Sequence, residues 1–174
     1  PVHRDLEAEL ATWKGTDRAV LFPTGFATNL GVLATLGGPG VRIVSDSLNH
    51  ASIIDGTRLA RAEVVIAPHG DLAALDALVA EAPGPTIVVA DTVFSMDGDV
   101  LDVAAVADVC RRHGSLLVLD EAHAVLGPDP DAGAEVVYVT GWITGSATLG
   151  GLSAATAGGQ DILLARLDRA GTPL

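Results

Sequence analysis

At 174 residues, 49% of them hydrophobic, the chain has enough apolar material for one sizeable core and too much for a disordered one. Its 22 acidic and 10 basic residues leave a formal charge of −12, which excludes a basic surface for nucleic acid or anionic membrane. A single cysteine excludes an internal disulfide framework, and neither long uncharged stretch (19–41 or 136–160) supplies roughly 20 predominantly apolar residues for a membrane span. With no signal-type apolar run at Pro1, a reducing, cytoplasmic setting is the expectation.

Aromatic residues make up only 3%, so the interior must be built from Ala, Val, Leu and Ile. Leu6, Leu10 and Trp13 at helical spacing predict a helix over Asp5–Trp13, with Asp5 as its N-cap. The apolar run Ala19 to Phe22 reads as a strand, followed by a turn at Pro23-Thr24-Gly25 and a helix to Leu36. Arg42 to Ser45 predicts a strand, and Ala51 to Arg61 a helix with a weak spot at Gly56. Glu63 to Ala67 is a further strand. Asp71 then caps a helix whose Leu72, Leu75, Leu78 and Val79 form one stripe.

Thr86 to Ala90 is a continuous apolar run, as expected of a strand covered on both faces. Val103, Val106, Ala107 and Cys110 mark a buried helical stripe that ends at His113-Gly114, so Cys110 reads as a packed core thiol. Ser115–Leu119 and Val136–Val139 predict two more strands, and Asp161–Asp168 a last helix. The alternation predicts an α/β fold: a mostly parallel sheet with helices on both faces. Ligands in such sheets bind beyond the carboxyl ends of the strands.

The polar motifs cluster at those ends. Asp120-Glu121-Ala122-His123 follows an apolar strand, but no phosphate-cradling G-x-x-x-x-G-K-[ST] lies upstream, which excludes a helicase-type reading. A carboxylate at Asp120 suits the nitrogen of a protonated pyridine ring, with His123 near enough to reach the ring's phenolic oxygen. His50 opens a helix, where it can stack on a ring or simply cap. Thr24, Gly25 and Phe26 offer a hydroxyl and backbone N–H groups to a phosphate. Ser95 sits in a Ser-Met-Asp-Gly-Asp turn.

In this order the motifs resemble the α-oxoamine synthase family of fold-type-I pyridoxal-phosphate (PLP) enzymes, most closely its 8-amino-7-oxononanoate synthase branch. The likeness runs from His3-x-x-Leu6-Glu7 through Thr24-Gly25-Phe26-x-x-Asn29 and Ser45-Asp46 to Asn49-His50-Ala51-Ser52. It continues through Phe94 to Asp99, Asp120 to His123, and Gly150-Gly151. The resemblance implies a decarboxylative condensation of an amino acid with an acyl-CoA thioester, and pyridoxal 5′-phosphate as cofactor. It also implies that His50 stacks on the ring, Asp120 holds the pyridine nitrogen, and His123 and Ser95 lie on the phenolic-oxygen side. Gly25 and Phe26 would hold the phosphate, with Thr24 beside them. No metal ligand set is implied.

One residue departs from the family pattern. Counting back from Gly150-Gly151 without a gap places Thr144 where the family carries its Schiff-base lysine, and Lys14 is the only lysine in the chain. A threonine cannot form an imine, so any cofactor would be held non-covalently. Residues 1–174 then correspond to the core of a PLP-binding large domain, without the family's N-terminal segment and C-terminal small domain. Three readings follow: a fragment or inactive copy of a synthase, a lysine-less partner in a heterodimer with a catalytic paralogue, or a non-covalent PLP-binding module. The family also implies a homodimer. Thr144→Lys alone is expected not to restore turnover, because substrate contacts come from the other segments; acyl-CoA-dependent product in a synthase assay of that variant would refute this.

Overall fold

The computed structural model describes residues 2–14 and 16–123, together with three strands at 136–139, 146–149 and 152–155. Helix α1 runs over Val2–Lys14, α2 over Gly25–Leu36 and α3 over Ala51–Leu59, with strand β1 (Arg42–Asp46) between the last two. Strand β2 (Glu63–Ala67), helix α4 (Leu72–Ala80), strand β3 (Thr86–Asp91), helix α5 (Val103–His113) and strand β4 (Leu116–Asp120) follow in alternation. Strand β5 (Val136–Val139) comes next, and then an antiparallel pair, β6 (Ser146–Leu149) with β7 (Leu152–Ala155).

Strands β1 to β5 form one parallel sheet in the order β2-β1-β3-β4-β5. The period-2 pleat decides which helices each side chain meets. Ile43, Ile87, Val89 and Val118 face one side, where Val32, Leu33 and Ile53 of α2 and α3 cover them. Val44, Val88, Leu117 and Leu119 face the other, against Leu75, Val79, Val106 and Cys110 of α4 and α5. Both faces are therefore covered, which is why these strands read as unbroken apolar runs; all six residues of β3 are buried.

Local chemistry sets the helix ends. Thr24 Oγ1 accepts from the Ala27 N–H at 2.9 Å, Asp71 from Ala74 at 2.9 Å and Asp102 from Ala105 at 3.0 Å. Gly114 closes α5 in the left-handed region, at φ +64°. Asp5 does not cap α1: the helix already begins at Val2, and Asp5 lies in its first turn, where its charge favours the positive end of the helix dipole. Ala19–Phe22 is not a strand; it pairs with none of the described strands, and the Leu21 N–H donates instead to the Glu7 carboxylate at 3.1 Å.

In α4, Leu75 and Val79 are buried and Leu78 packs beside them, while Leu72 lies at the rim. Helix α3 stops two residues short of Arg61, which turns the chain with a φ of +54°. The helix expected at Asp161–Asp168 lies outside the described residues, as do Thr144 and Gly150-Gly151. Among the described residues, no helix is long and apolar enough to cross a membrane.

Gly56 is no weak spot. A Cβ at this position would lie 2.7 Å from the Asn29 carbonyl oxygen and 2.9 Å from Leu33 Cδ1, so its bare backbone lets α3 seat directly on α2. Gly56→Ala is expected to destabilise the fold by about 1–3 kcal/mol, as overpacking against backbone does. Urea denaturation would register this as a lower midpoint with an unchanged slope.

Candidate functional site

The carboxyl ends of β1, β3 and β4 open into a cleft of about 650 Å³. It is lined by Thr24, Gly25, Phe26, Asn29, His50, Ser52, Asp91, Ser95, Asp120, Ala122 and His123. All seven residues expected as a binding set, Thr24, Gly25, Phe26, His50, Ser95, Asp120 and His123, thus face one space.

Asp120 ends β4 and is buried. Its Oδ1 accepts from the Ala122 N–H at 2.9 Å, and its Oδ2 from Asn29 Nδ2 at 2.7 Å. Burial pushes its carboxyl above the usual range; the hydrogen bonds from Asn29 and Ala122, and the nearby His50 and His123, pull it back. The parallel register sets Asp91, the last residue of β3, directly beside it. Asp91 is pushed up to about 7, chiefly by burial and then by the Asp120 charge, against the pull of a 2.7 Å hydrogen bond from the His50 N–H. Two buried carboxyls side by side make a cleft floor that favours a cation.

His50 is the N-cap of α3: its Nδ1 accepts from the Ser52 N–H at 3.2 Å and lies 2.7 Å from Ser52 Oγ. The capping role is therefore present, and it leaves Nε2 and the ring faces uncommitted by these bonds. Helix α2 also begins at this cleft. Its first i→i−4 bond runs from the Thr28 N–H to the Thr24 carbonyl, so the N–H groups of Gly25 and Phe26 have no acceptor within the helix. Thr24 Oγ1 already accepts from Ala27, and its hydroxyl proton remains the part it can offer outward. Together these make an anion cradle.

Ser95 and His123 are exposed at the rim. Ser95 belongs to a tight turn closed by the Gly98 N–H on the Phe94 carbonyl at 2.8 Å, with Gly98 at φ +76°. His69 fastens this turn to the sheet. Its Nδ1 lies 3.0 Å from Asp46 Oδ1, its Nε2 3.3 Å from Asp99 Oδ2, and its ring meets Phe94 edge-on at 4.4 Å. Burial alone would lower the His69 pKa; Asp46 and Asp99 outweigh it, and the pKa is raised.

Sequence reasoning missed Asp91 and His69. It had a signal for Asp91, which ends the run Ile87–Ala90 of a buried strand just as Asp120 ends Leu116–Leu119. For His69 no local pattern exists, because its partners lie 23 and 30 positions away. Lys14, far upstream in sequence, comes to the end of β4: its Nζ is 2.6 Å from Glu121 Oε2, and both side chains are buried. It does not line the cleft. Lys14 is therefore committed to an ion pair next to the site and offers no amine within it.

The native Asp91 pKa lies above its ordinary value near 4. Its contribution to stability is thus fully present below pH ~4 and lost as the pH rises through about 7. Compared with the parent at each pH, Asp91→Asn is expected to gain stability progressively from pH 4 to 8. Denaturation midpoints whose difference is flat over that range would contradict the assignment.

The family profile described as "Aminotransferase class I and II" matches residues 1–157. The chain is 52% identical over 133 residues to 8-amino-7-oxononanoate synthase of Burkholderia thailandensis, a match covering 72% of this chain and 34% of that protein. It is 45% identical over 170 residues to the 8-amino-7-oxononanoate synthase of Paracidovorax citrulli, covering 91% and 41%. Its fold is similar to a serine palmitoyltransferase from S. paucimobilis solved with a bound PLP-myriocin aldimine. The TM-score is 0.76 and the identity 26%, over 95% of this chain and 43% of that one. The chain thus spans well under half the length of these relatives.

Proposed function

Because the chain belongs to the aminotransferase class I and II family, we propose that its cleft binds pyridoxal 5′-phosphate as the cofactor half of an oxoamine-synthase-type acyltransferase. The observation that carries this reading is Asp120: a buried carboxylate at a strand end, held by two hydrogen bonds in a cleft that the N-terminus of α2 also lines. When bound, the cofactor supplies an electron sink for cleavage at the amino acid's α-carbon.

The residues fit that group. Asp91 and Asp120 form a buried acidic floor whose cost a protonated pyridine nitrogen would offset, with Asp120 as its partner. The N–H groups of Gly25 and Phe26 at the start of α2, with the Thr24 hydroxyl, suit a phosphate. His50 covers the ring, while Ser95 and His123 serve the phenolic oxygen from the rim. The proposed substrates are an amino acid and an acyl-CoA thioester, condensed with loss of carbon dioxide as in the biotin-pathway synthases. The proposed assembly is a dimer.

What the site lacks is an amine. Lys14 is the only lysine, and its ion pair with Glu121 holds it outside the cleft. The chain as it stands therefore holds its cofactor without a covalent link and does not turn over by itself. The acidic floor and the N–H cradle at the start of α2, set against that missing amine, also support a second reading as the non-catalytic partner of a lysine-bearing paralogue.

Titration with pyridoxal 5′-phosphate, followed by absorbance and tryptophan fluorescence, is expected to show saturable binding. Borohydride treatment should leave Lys14 unmodified. Asp120→Ala should weaken binding about 10-fold or more, since one charge-assisted contact is worth about 1.5–3 kcal/mol. Equal affinity in that variant, or no binding by the parent, would overturn the reading.

A further inference from the structure

At the floor of the cleft, four side chains from α2, α3 and β4 form one hydrogen-bonded chain. Asn29 Nδ2 donates to Asp120 Oδ2 at 2.7 Å and to Ser52 Oγ at 2.8 Å. Ser52 Oγ lies 2.7 Å from His50 Nδ1, which also accepts from the Ser52 N–H at 3.2 Å. Asn29 and Ser52 are buried to about 1% exposure, so water does not compete for these bonds.

Counting protons settles every direction in the chain. The Asn29 amide has two hydrogens, and this geometry uses both. Turning the amide over would set Oδ1 against the Asp120 carboxylate, acceptor to acceptor, so the orientation is determined. Ser52 Oγ accepts from Asn29, and its own hydrogen is directed to His50 Nδ1. With two donors on Nδ1, the neutral ring carries its proton on Nε2. The cost falls on Asn29 itself: its Oδ1 is buried with no hydrogen-bond partner among the described residues. Such an orphaned acceptor works against stability, so the part this amide plays is the one its two donors fill.

We propose that Asn29 is a positioning residue that sets the Asp120 carboxylate and the His50 imidazole in one register before any ligand enters the cleft. Through its two hydrogens it holds Asp120 as a fixed acceptor and, by way of Ser52, fixes His50 as the Nε2–H tautomer. Of the groups acting on Asp120, Asn29 provides the leading stabilisation of the charged form against burial. A ring uncharged on Nδ1 suits stacking on a protonated pyridine, because two facing cations would repel. The consequence for binding rests on the cofactor reading above; the geometry does not.

The test has one arm without cofactor and one with it. In ¹⁵N-resolved NMR of the ligand-free chain at pH 8, His50 should show an unprotonated Nδ1 and a protonated Nε2. In Asn29→Ala the Ser52 hydroxyl is free to accept from the ring, and a detectable share of the Nδ1–H form should appear. An Nδ1–H ring in the parent, or an unchanged tautomer in the variant, would overturn the proposal whether or not pyridoxal 5′-phosphate binds.

In the second arm, Asn29→Ala should weaken pyridoxal 5′-phosphate binding about 10-fold in the parent background but less than about 2-fold in Asp120→Ala, because the two act as a unit. Additive losses would show that Asn29 does not work through Asp120. Failure of the parent to bind would defeat only the cofactor reading, since the NMR arm still decides the network. Should Asn29→Ala not fold, Asn29→Ser, whose single hydroxyl hydrogen cannot serve Asp120 and Ser52 at once, is read in both arms.

Discussion

The site depends on how closely α3 lies on α2. With a glycine at position 56, the backbone of one helix meets the carbonyl of Asn29 on the other, and no side chain separates them. That approach brings Ser52 within hydrogen-bond reach of Asn29. It also draws His50, at the start of α3, towards the floor that Asp120 closes. A wider separation of the two helices would leave the carboxylate, the amide and the imidazole in the same fold but out of contact. Backbone proximity at one glycine therefore governs polar geometry one to two turns away.

The second constraint is electrostatic. Parallel register places Asp91 and Asp120 as neighbours at the ends of β3 and β4, both buried. The surroundings answer with oriented donors: the amide of Asn29, the N–H of Ala122 and the N–H of His50. These reduce the cost of charge without abolishing it, so the carboxyl pair remains an acidic site in search of a cation. Sites that bind a charged ligand commonly keep such a residual imbalance, since a fully satisfied pair would have nothing left to offer.

The sheet was legible in the sequence because its signals are local. Apolar runs such as Thr86–Ala90, the capping aspartate at 71, and Gly114 after a helix each carry their reason within a few residues. The cleft was legible in part, since Thr24, His50, Ser95, Asp120 and His123 all sit in recognisable turns at strand ends. What the pattern hid was pairing over distance. Ala19–Phe22 has a strand's composition but finds no partner strand among those described. His69 acquires its place only when β1, β2 and the Phe94–Asp99 turn come together. Gly56 reads as a flaw along the chain and as a contact surface across it. Lys14 is remote in sequence and adjacent in space, a distinction that no periodicity can express.

The pairing of Lys14 with Glu121 has a consequence for the surface as well as for the cleft. The chain has one lysine and one cysteine. The lysine is held in a buried ion pair, and Cys110 is fully buried with its thiol pushed up to about 12. No side-chain amine or thiol is therefore presented as a ready nucleophile. An activated thioester or an aldehyde that meets the folded protein finds its lysine and its cysteine withdrawn. At these two positions the fold is chemically quiet towards electrophiles, and it becomes reactive there only where the Lys14–Glu121 pair parts or the core behind α5 opens.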